Sequence, residues 1–171
     1  MFLNTEDFEV YGESILNLHI RPFYPEDLET LVAFWCEVGN DPVVSGDFFS
    51  PTDENISRWR RYVLSIHEED ENQILVAEAD GEVVGFTIYK SQTSTPLEAN
   101  IRCATINDLY VRPNVRRRGI ATELMKRAFE YVKSKGATHV RLNVMTSNFP
   151  ALNLYRKLGF ENYSIILQKK L

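Results

Sequence analysis

Three consecutive arginines, Arg116 to Arg118, stand directly before Gly119 and a helix-like pattern in the stretch VRPNVRRRGIATELM. The first turn of a helix leaves backbone N–H groups without partners and carries partial positive charge, so a glycine-containing turn there is a ready anion site. Guanidinium groups suit phosphate oxygens. The alternative, arginines that only decorate a solvated turn, leaves positive charge at a helix N-terminus with no anion to offset it. The turn therefore predicts a pyrophosphate site.

The common nucleotide-binding signatures do not accompany this turn. The chain has no GxxxxGK[ST] and no GxGxxG after a strand, which removes the main support for an ATP or dinucleotide site. The chain is acidic, with 19 Lys and Arg against 24 Asp and Glu and a formal net charge of −5. We therefore expect neither a nucleic-acid nor a membrane partner.

Cysteine and histidine placement argues against a disulfide framework and against a metal site. Cys36 and Cys103 form no CxxC pair and suit a reducing compartment. The N-terminus is acidic where a signal peptide would be basic, and no apolar run reaches spanning length, so a cytoplasmic protein is predicted. His19, His67 and His139 are scattered without ligand spacing, and no metal is predicted.

The elements before the arginine turn follow from hydrophobic periodicity and turn residues. With 171 residues the chain is predicted to form one domain, 16–171, behind an N-terminal extension of residues 1–15. A first strand precedes two helices, which begin near Pro25 and Ser50. Two strands joined at Asp80-Gly81 form a predicted hairpin, because this dipeptide tolerates positive φ angles. A further long strand ends at Pro113.

The second half of the chain alternates helices and strands. The helix after Gly119 ends near Gly136 and leads to a strand at 138–145. A short helix opens at Pro150, and Gly159 separates it from a closing strand, FENYSIILQKKL. The predicted order is β-α-α-β-β-β-α-β-α-β, an α/β fold in which the strand-helix-strand unit forms a parallel, right-handed crossover.

Arg116-x-x-Gly119-x-Ala121 resembles the (Q/R)xxGx(G/A) signature of the GNAT superfamily of acetyl-CoA-dependent N-acetyltransferases, with alanine where many members carry the second glycine. INDLYVRP before it is similar to the family's fourth strand. RPFYPED, VAEADGEVVGF and NFPALNLYRKLGF resemble, in order, the first strand-helix junction, the second and third strands and the closing Asn-x-x-Ala-x-x-x-Tyr segment. The resemblance covers about residues 16 to 171 and implies a mixed, mostly antiparallel sheet splayed between strands 4 and 5.

The resemblance also implies acetyl-CoA as co-substrate and assigns the residues that hold it. Backbone groups of Leu109 and Val111 would bind the pantetheine arm by strand-like hydrogen bonds, and Asn148 would contact the same region. The pyrophosphate would lie on the turn formed by Arg116, Arg117, Arg118, Gly119, Ile120, Ala121 and Thr122.

Acetyl transfer needs a neutral amine, whereas an alkylamine with a pKa near 10.4 is almost fully protonated at pH 7. Asp108 lies on the presumed fourth strand, where relatives often carry an acidic base, and could take the proton directly or through water. A structural carboxylate is the alternative, and a strand bulge would change which side Asp108 faces. Glu78 and Glu82 are weaker candidates. Tyr155 holds the family's place for the acid that protonates the departing sulfur, the alternative being a half-buried aromatic residue of the last helix.

Two functions remain open on the sequence alone. The first is an N-acetyltransferase that moves acetyl from acetyl-CoA to a primary amine by direct attack in a ternary complex. The second is a non-catalytic domain of the same fold that holds an acyl-CoA as sensor or scaffold. The acceptor, a small-molecule or peptide amine, is not identified, and a homodimer is an expectation only because relatives often dimerise.

Overall fold

The structure is a computed structural model that describes residues 17–41, 50–91, 101–167 and 169. The predicted N-terminal extension, residues 1–15, lies outside the described residues. Short 3-10 turns precede the first helix, the second strand and the third helix. The strands are β1 (Leu18–Pro22), β2 (Ile74–Ala79), β3 (Glu82–Lys90), β4 (Cys103–Val111) and β5 (His139–Leu142), and the helices are α1 (Leu28–Gly39), α2 (Asp53–Glu69), α3 (Ile120–Ser134) and α4 (Phe149–Lys157).

The five strands form one sheet in the order β1-β2-β3-β4-β5. The first three pairings are antiparallel and the pairing of β4 with β5 is parallel, which confirms the predicted mixed, mostly antiparallel sheet. Helix α3 makes the long connection that a parallel pair requires. The predicted hairpin is also confirmed, since Asp80 (φ 52°) and Gly81 (φ 85°) both take the left-handed conformation of a tight turn.

Each face of the sheet carries its own apolar core, because neighbouring strand residues point to opposite sides. On one face, Val76 and Phe86 pack with residues of α1 and α2 such as Leu31 and Val63. On the other face, α3 covers the sheet with its stripe Ile120, Leu124, Met125, Ala128 and Val132. The sheet therefore separates an α1/α2 side from an α3 side.

A buried ion pair joins the first strand to the first helix. The guanidinium of Arg21 on β1 donates to both carboxylate oxygens of Asp27, at 2.7 and 3.0 Å, and to Glu78 of β2 at 2.9 Å. The backbone N–H of Tyr24 donates to the same Asp27 carboxylate at 2.9 Å. The carboxylate thus caps the 3-10 turn Pro25–Asp27 while holding β1.

The predicted closing strand is not formed over residues 161–167, which carry no ladder pairing. Ile165, Ile166 and Leu167 follow one another without alternation, so no single face of this segment would be buried. All three side chains are exposed, and Tyr163 packs beneath the guanidinium of Arg141 at 4.4 Å. Within the described ranges, no helix has the length and apolar character needed to cross a membrane.

Candidate active site

Strands β4 and β5 part halfway along β4. Their pairing runs from Cys103 opposite His139 to Ile106 opposite Leu142 and ends there, so the second half of β4 has an open edge among the described residues. The predicted splay is therefore present. Its opening lies between β4 and the segment that follows β5.

Two backbone positions on β4 face this open edge. Arg112 donates its N–H to the Val84 carbonyl at 2.8 Å, and the Asp108 carbonyl accepts the Thr87 hydroxyl at 2.9 Å, so even-numbered residues turn their backbone groups toward β3. By strand alternation, Leu109 and Val111 turn theirs toward the opening. This is the orientation that the predicted pantetheine contacts require.

Helix α3 begins without a side-chain cap. Its N-cap is Gly119, in the left-handed conformation at φ 82°, and no side-chain hydrogen bond from the described part of the chain caps the helix. In contrast, Thr52 caps α2 by accepting from Asn55 N at 3.3 Å, and Asn148 caps α4 by accepting from Ala151 N at 3.2 Å. The N-terminus of α3 therefore leaves its backbone donors available to an anion.

The three arginines before Gly119 take different places. Arg116 turns back onto β4, where its Nε donates to the Val111 carbonyl at 2.7 Å and its guanidinium lies 5.9 Å from the ring centre of Tyr110. Arg117 has a left-handed backbone, φ 68°, and its side chain and that of Arg118 are exposed. Arg116 thus joins the turn to β4 by a hydrogen bond, while Arg117 and Arg118 extend toward solvent.

The remaining residues of the predicted phosphate turn continue into the first turn of α3. Ile120 is buried in the core on the α3 side, so it has only backbone to offer a ligand. Ala121 and Thr122 are partly buried. An open groove of about 750 Å³ runs from Arg118, Gly119 and Thr122 to β1, away from the opening beside β5.

A β-bulge on β4 decides which way Asp108 faces. Ile88 is opposite Asp108 and Tyr89 is opposite Ile106, which leaves Asn107 as an extra residue. In consequence Ile106 and Leu109, three residues apart, both pack in the core on the α3 side. Without the bulge, Asp108 would share the face of Ile106 and point at α3.

Asp108 lies within electrostatic reach of two tyrosines from different helices, Tyr62 and Tyr155. Burial raises the pKa of Asp108 to about 6, and no cationic group among the described residues offsets it. Burial and, secondarily, the charge of Asp108 raise the pKa of Tyr155 on α4 to about 12. Burial also raises the pKa of Tyr62 on α2, and the Asp108 charge adds to that rise. The two residues predicted to be catalytic, Asp108 and Tyr155, therefore lie within electrostatic reach of each other.

The other predicted candidates are occupied in structural contacts. Glu78 is bound to Arg21 at 2.9 Å, and Glu82 pairs with Arg112 at 3.1 Å. The side-chain oxygen of Asn148 is used as the α4 cap, which fixes this residue at the start of the helix that carries Tyr155.

Tyr62 and Asn107 were not singled out from the sequence. The Asn107 side-chain amide donates a hydrogen bond to the Tyr62 hydroxyl, across 45 residues of chain. Tyr62 directly precedes Val63 of the buried α2 stripe, which gives it the pattern of an ordinary edge-of-core aromatic residue. Only the three-dimensional contact connects it to the site.

Comparison with known proteins identifies the family. The family model described as the acetyltransferase (GNAT) family matches residues 38–160, more than half of the chain. This chain belongs to the GNAT family. An uncharacterized N-acetyltransferase of Methanocaldococcus jannaschii is 33% identical over 110 residues, which cover 64% of this chain and 48% of that relative. An N-alpha-acetyltransferase of Sulfurisphaera tokodaii is 34% identical over 58% of this chain and 62% of its own length.

These matches span less than two thirds of the length of either GNAT relative. A solved structure of aminoglycoside N-acetyltransferase AAC(6')-Iy, in complex with CoA, matches with a TM-score of 0.69 and 18% identity, over 93% of this chain and 98% of that chain. At this identity the likeness establishes the common GNAT fold.

Proposed function

We propose that this protein is an acetyl-CoA-dependent N-acetyltransferase that acts on a primary amine by direct attack in a ternary complex. The observation that carries the proposal is that Asp108, on the half of β4 that is not paired with β5, has a pKa of about 6 and lies within electrostatic reach of the Tyr155 phenol, whose pKa is about 12. At neutral pH the first is a base with no proton and the second is an acid with its proton in place.

The co-substrate would be held by the elements that surround the opening. The pantetheine amides would add to the open edge of β4 at Leu109 and at Val111, whose carbonyl already accepts one hydrogen bond from Arg116. The pyrophosphate would bind the start of α3. Arg117 and Arg118 would add charge to that turn, and Arg116 would keep it against β4. A protein with the same fold has been solved in complex with CoA, which supports CoA as the group that is bound.

The proposed reaction removes two protons from the acceptor nitrogen, adds one proton to the sulfur and exchanges a carbon–sulfur bond for a carbon–nitrogen bond. Asp108 takes a proton from the acceptor ammonium, directly or through water, and the neutral nitrogen then forms a bond to the acetyl carbon. The carbon–sulfur bond breaks, and Tyr155 gives its proton to the departing thiolate. The extra proton on the nitrogen of the tetrahedral intermediate passes, directly or through water, to the Tyr155 phenolate, and Asp108 releases its proton to solvent before the next turnover.

An acceptor panel tests the proposal. The protein would be incubated with acetyl-CoA and neamine, lysine, spermidine or a peptide with a free N-terminus, and the free thiol and the acetylated product would be measured together. Equal amounts of thiol and N-acetyl product with any of the amines support the proposal. Acetyl-CoA binding without turnover on any of them would instead identify a non-catalytic acyl-CoA-binding domain.

The cofactor site itself is tested by Gly119→Glu. Acetyl-CoA should raise the Tm of the parent protein, because a ligand that binds only the folded state stabilises it. The variant should lose this shift, since its carboxylate would occupy the place proposed for the pyrophosphate. Gly81→Glu is the matched control, because both glycines have a positive φ and a Cβ at either position would meet no neighbouring atom within 4 Å. Equal ligand shifts in the two folded variants would move the site elsewhere.

A further inference from the structure

The bulge of β4 connects the proposed base to a side chain of the second helix. Asn107 is the extra residue of the bulge, and its side-chain amide donates to the hydroxyl of Tyr62 on α2. Its neighbour Asp108 carries the charge that acts on the same phenol. Tyr62, Asn107 and Asp108 thus form one polar corner on the α1/α2 side of the sheet.

The Asn107 bond determines what the Tyr62 hydroxyl can still do. A phenolic oxygen has one hydrogen to donate and two lone pairs that accept. Asn107 occupies one lone pair, so the second lone pair and the O–H remain. The raised pKa keeps the phenol protonated at neutral pH. Tyr62 therefore offers a fixed neutral acceptor beside a carboxylate.

A primary ammonium group has three N–H donors and keeps two after it loses one proton. We propose that Tyr62 is an acceptor-binding residue, which accepts an N–H of the amine while Asp108 takes the proton to be removed, and that Asn107 positions Tyr62. This inference rests on the proposed function. It assigns to this corner a preference for primary over N-methylated amines, because the three N–H donors of a primary ammonium meet both contacts in any staggered rotation about the carbon–nitrogen bond, whereas the two donors of an N-methylammonium meet both in only one.

Tyr62→Phe tests the inference on paired acceptors: lysine with N6-methyllysine, and an alanyl peptide with its N-methylalanyl form. For the primary amine, KM should rise roughly 3- to 10-fold, as expected for one neutral hydrogen bond. The kcat and the KM for acetyl-CoA should stay within about twofold. For the methylated amine, the rise in KM should be less than about half as large. The preference of the parent for the primary amine should shrink accordingly.

The matched control is Tyr131→Phe, which removes a tyrosine hydroxyl that bonds the Asp70 carboxylate, outside the proposed site. Tyr131→Phe should leave kcat, the KM for the amine and the KM for acetyl-CoA within about twofold of the parent values. An unchanged amine KM in Tyr62→Phe, an equal rise for both amines of a pair, or a parallel rise in the acetyl-CoA KM would overturn the inference. Absence of thiol release by the parent protein with every amine would instead overturn the proposed function.

Asn107→Ala tests whether this side chain acts through Tyr62. It should raise the amine KM by a smaller factor, about 2- to 3-fold, since the hydroxyl remains but is no longer fixed. In the double variant with Tyr62→Phe, the KM should equal that of Tyr62→Phe alone, because the two side chains share one interaction. Multiplicative effects in the double variant would remove the positioning role from Asn107.

Discussion

Asp27 is buried and Asp108 is half-buried, and the two aspartates have opposite surroundings. Asp27 is 5% exposed and receives two hydrogen bonds from Arg21 and one from the Tyr24 N–H. Burial alone would raise its pKa, but these bonds outweigh burial and hold the pKa below the usual range. Asp108 has no ion pair within the described residues, and burial raises its pKa to about 6.

The difference separates a structural carboxylate from one available for chemistry. The hydrogen bonds that join Asp27 to β1 and to the start of α1 stabilise its ionised form, so this carboxylate does not exchange a proton near neutral pH. The charge of Asp108 is left without a compensating partner, which costs stability and keeps its pKa close to neutral. An acid or base works best when its pKa lies near the working pH. Opposite responses of the two sites to the same Asp→Asn change would establish this division.

The largest expected effect is on activity in Asp108→Asn. Removal of a general base typically costs about 10²- to 10⁴-fold, and we expect kcat/KM to fall by at least about 100-fold. The parent should lose kcat/KM as the pH falls through about 6, where the Asp108 carboxylate takes up a proton. The measurement is the pH dependence of kcat/KM on any accepted amine, with the acetyl-CoA Tm shift as binding control. If kcat/KM of the variant still falls at acidic pH as it does in the parent, another group is the base.

The next effect is on stability in Asp27→Asn. Removal of one charge from a buried pair leaves Arg21 with Glu78 alone, and the free energy of unfolding should fall by about 3 kcal/mol. Because the Asp27 pKa is lowered in the folded state, its contribution is present at neutral pH and is lost as the pH falls through that lowered pKa. Urea unfolding at neutral and acidic pH measures this, and kcat/KM per folded molecule should not change. A loss below about 1 kcal/mol would mean that the ion pair adds little.

Asp108→Asn should change stability in the opposite direction. The folded pKa of about 6 lies above the ordinary value of 3.8, so the folded parent binds more protons between these values and loses stability as the pH rises through them. The variant lacks this loss and should be about 2 kcal/mol more stable than the parent near pH 7.5. Below pH 4 the difference should vanish. Urea unfolding of both proteins at pH 7.5 and below pH 4 measures this difference. A variant less stable than the parent at pH 7.5 would indicate an unrecognised partner of the carboxylate.

The sequence predicts what depends on neighbours along the chain. The Asp80-Gly81 hairpin, the stripe of α3 and the glycine at its start follow from local periodicity and turn residues, and the structure shows them as expected. The positions of Asp108 and Tyr155 came from resemblance to a family, since a lone aspartate and a helix tyrosine carry no local sign of catalysis. Asp108 and Tyr155 lie within electrostatic reach of each other, and their roles stay predictions.

What the sequence did not predict depends on contacts between distant segments. The sequence leaves a bulge near Asp108 open and does not locate it at Asn107, because an extra strand residue is defined by its partner on β3. The contact of Tyr62 with Asn107 and the pairing of Arg21 with Asp27 require the packed helices and strands. The prediction of a closing strand was wrong for residues 161–167 because a strand also depends on a distant segment. Apolar β-forming residues do not make a strand without a ladder partner.

The smallest expected effect concerns Tyr155, whose phenol shares the surroundings of Asp108. Its pKa of about 12 keeps the proton in place over the working pH range, so it can donate to a thiolate. Tyr155→Phe keeps the ring that packs edge-on against Phe160 at 5.7 Å and removes only the hydroxyl. We expect kcat to fall by at least about tenfold, even if water partly replaces the acid, while the KM for acetyl-CoA moves less than about threefold.

Steady-state kinetics of the parent and of Tyr155→Phe on the same amine measure this separation, with circular dichroism to confirm folding and Tyr131→Phe as the control for loss of a hydroxyl. If kcat stays within about twofold of the parent, Tyr155 packs but does not donate, and a water must protonate the thiolate. If the KM for acetyl-CoA rises in proportion to any fall in kcat/KM, the hydroxyl holds the co-substrate and is not the acid. A fall in kcat alone leaves Asp108 and Tyr155 as the two titrating groups of the site, one exchanging its proton near neutral pH and the other retaining it until the sulfur departs.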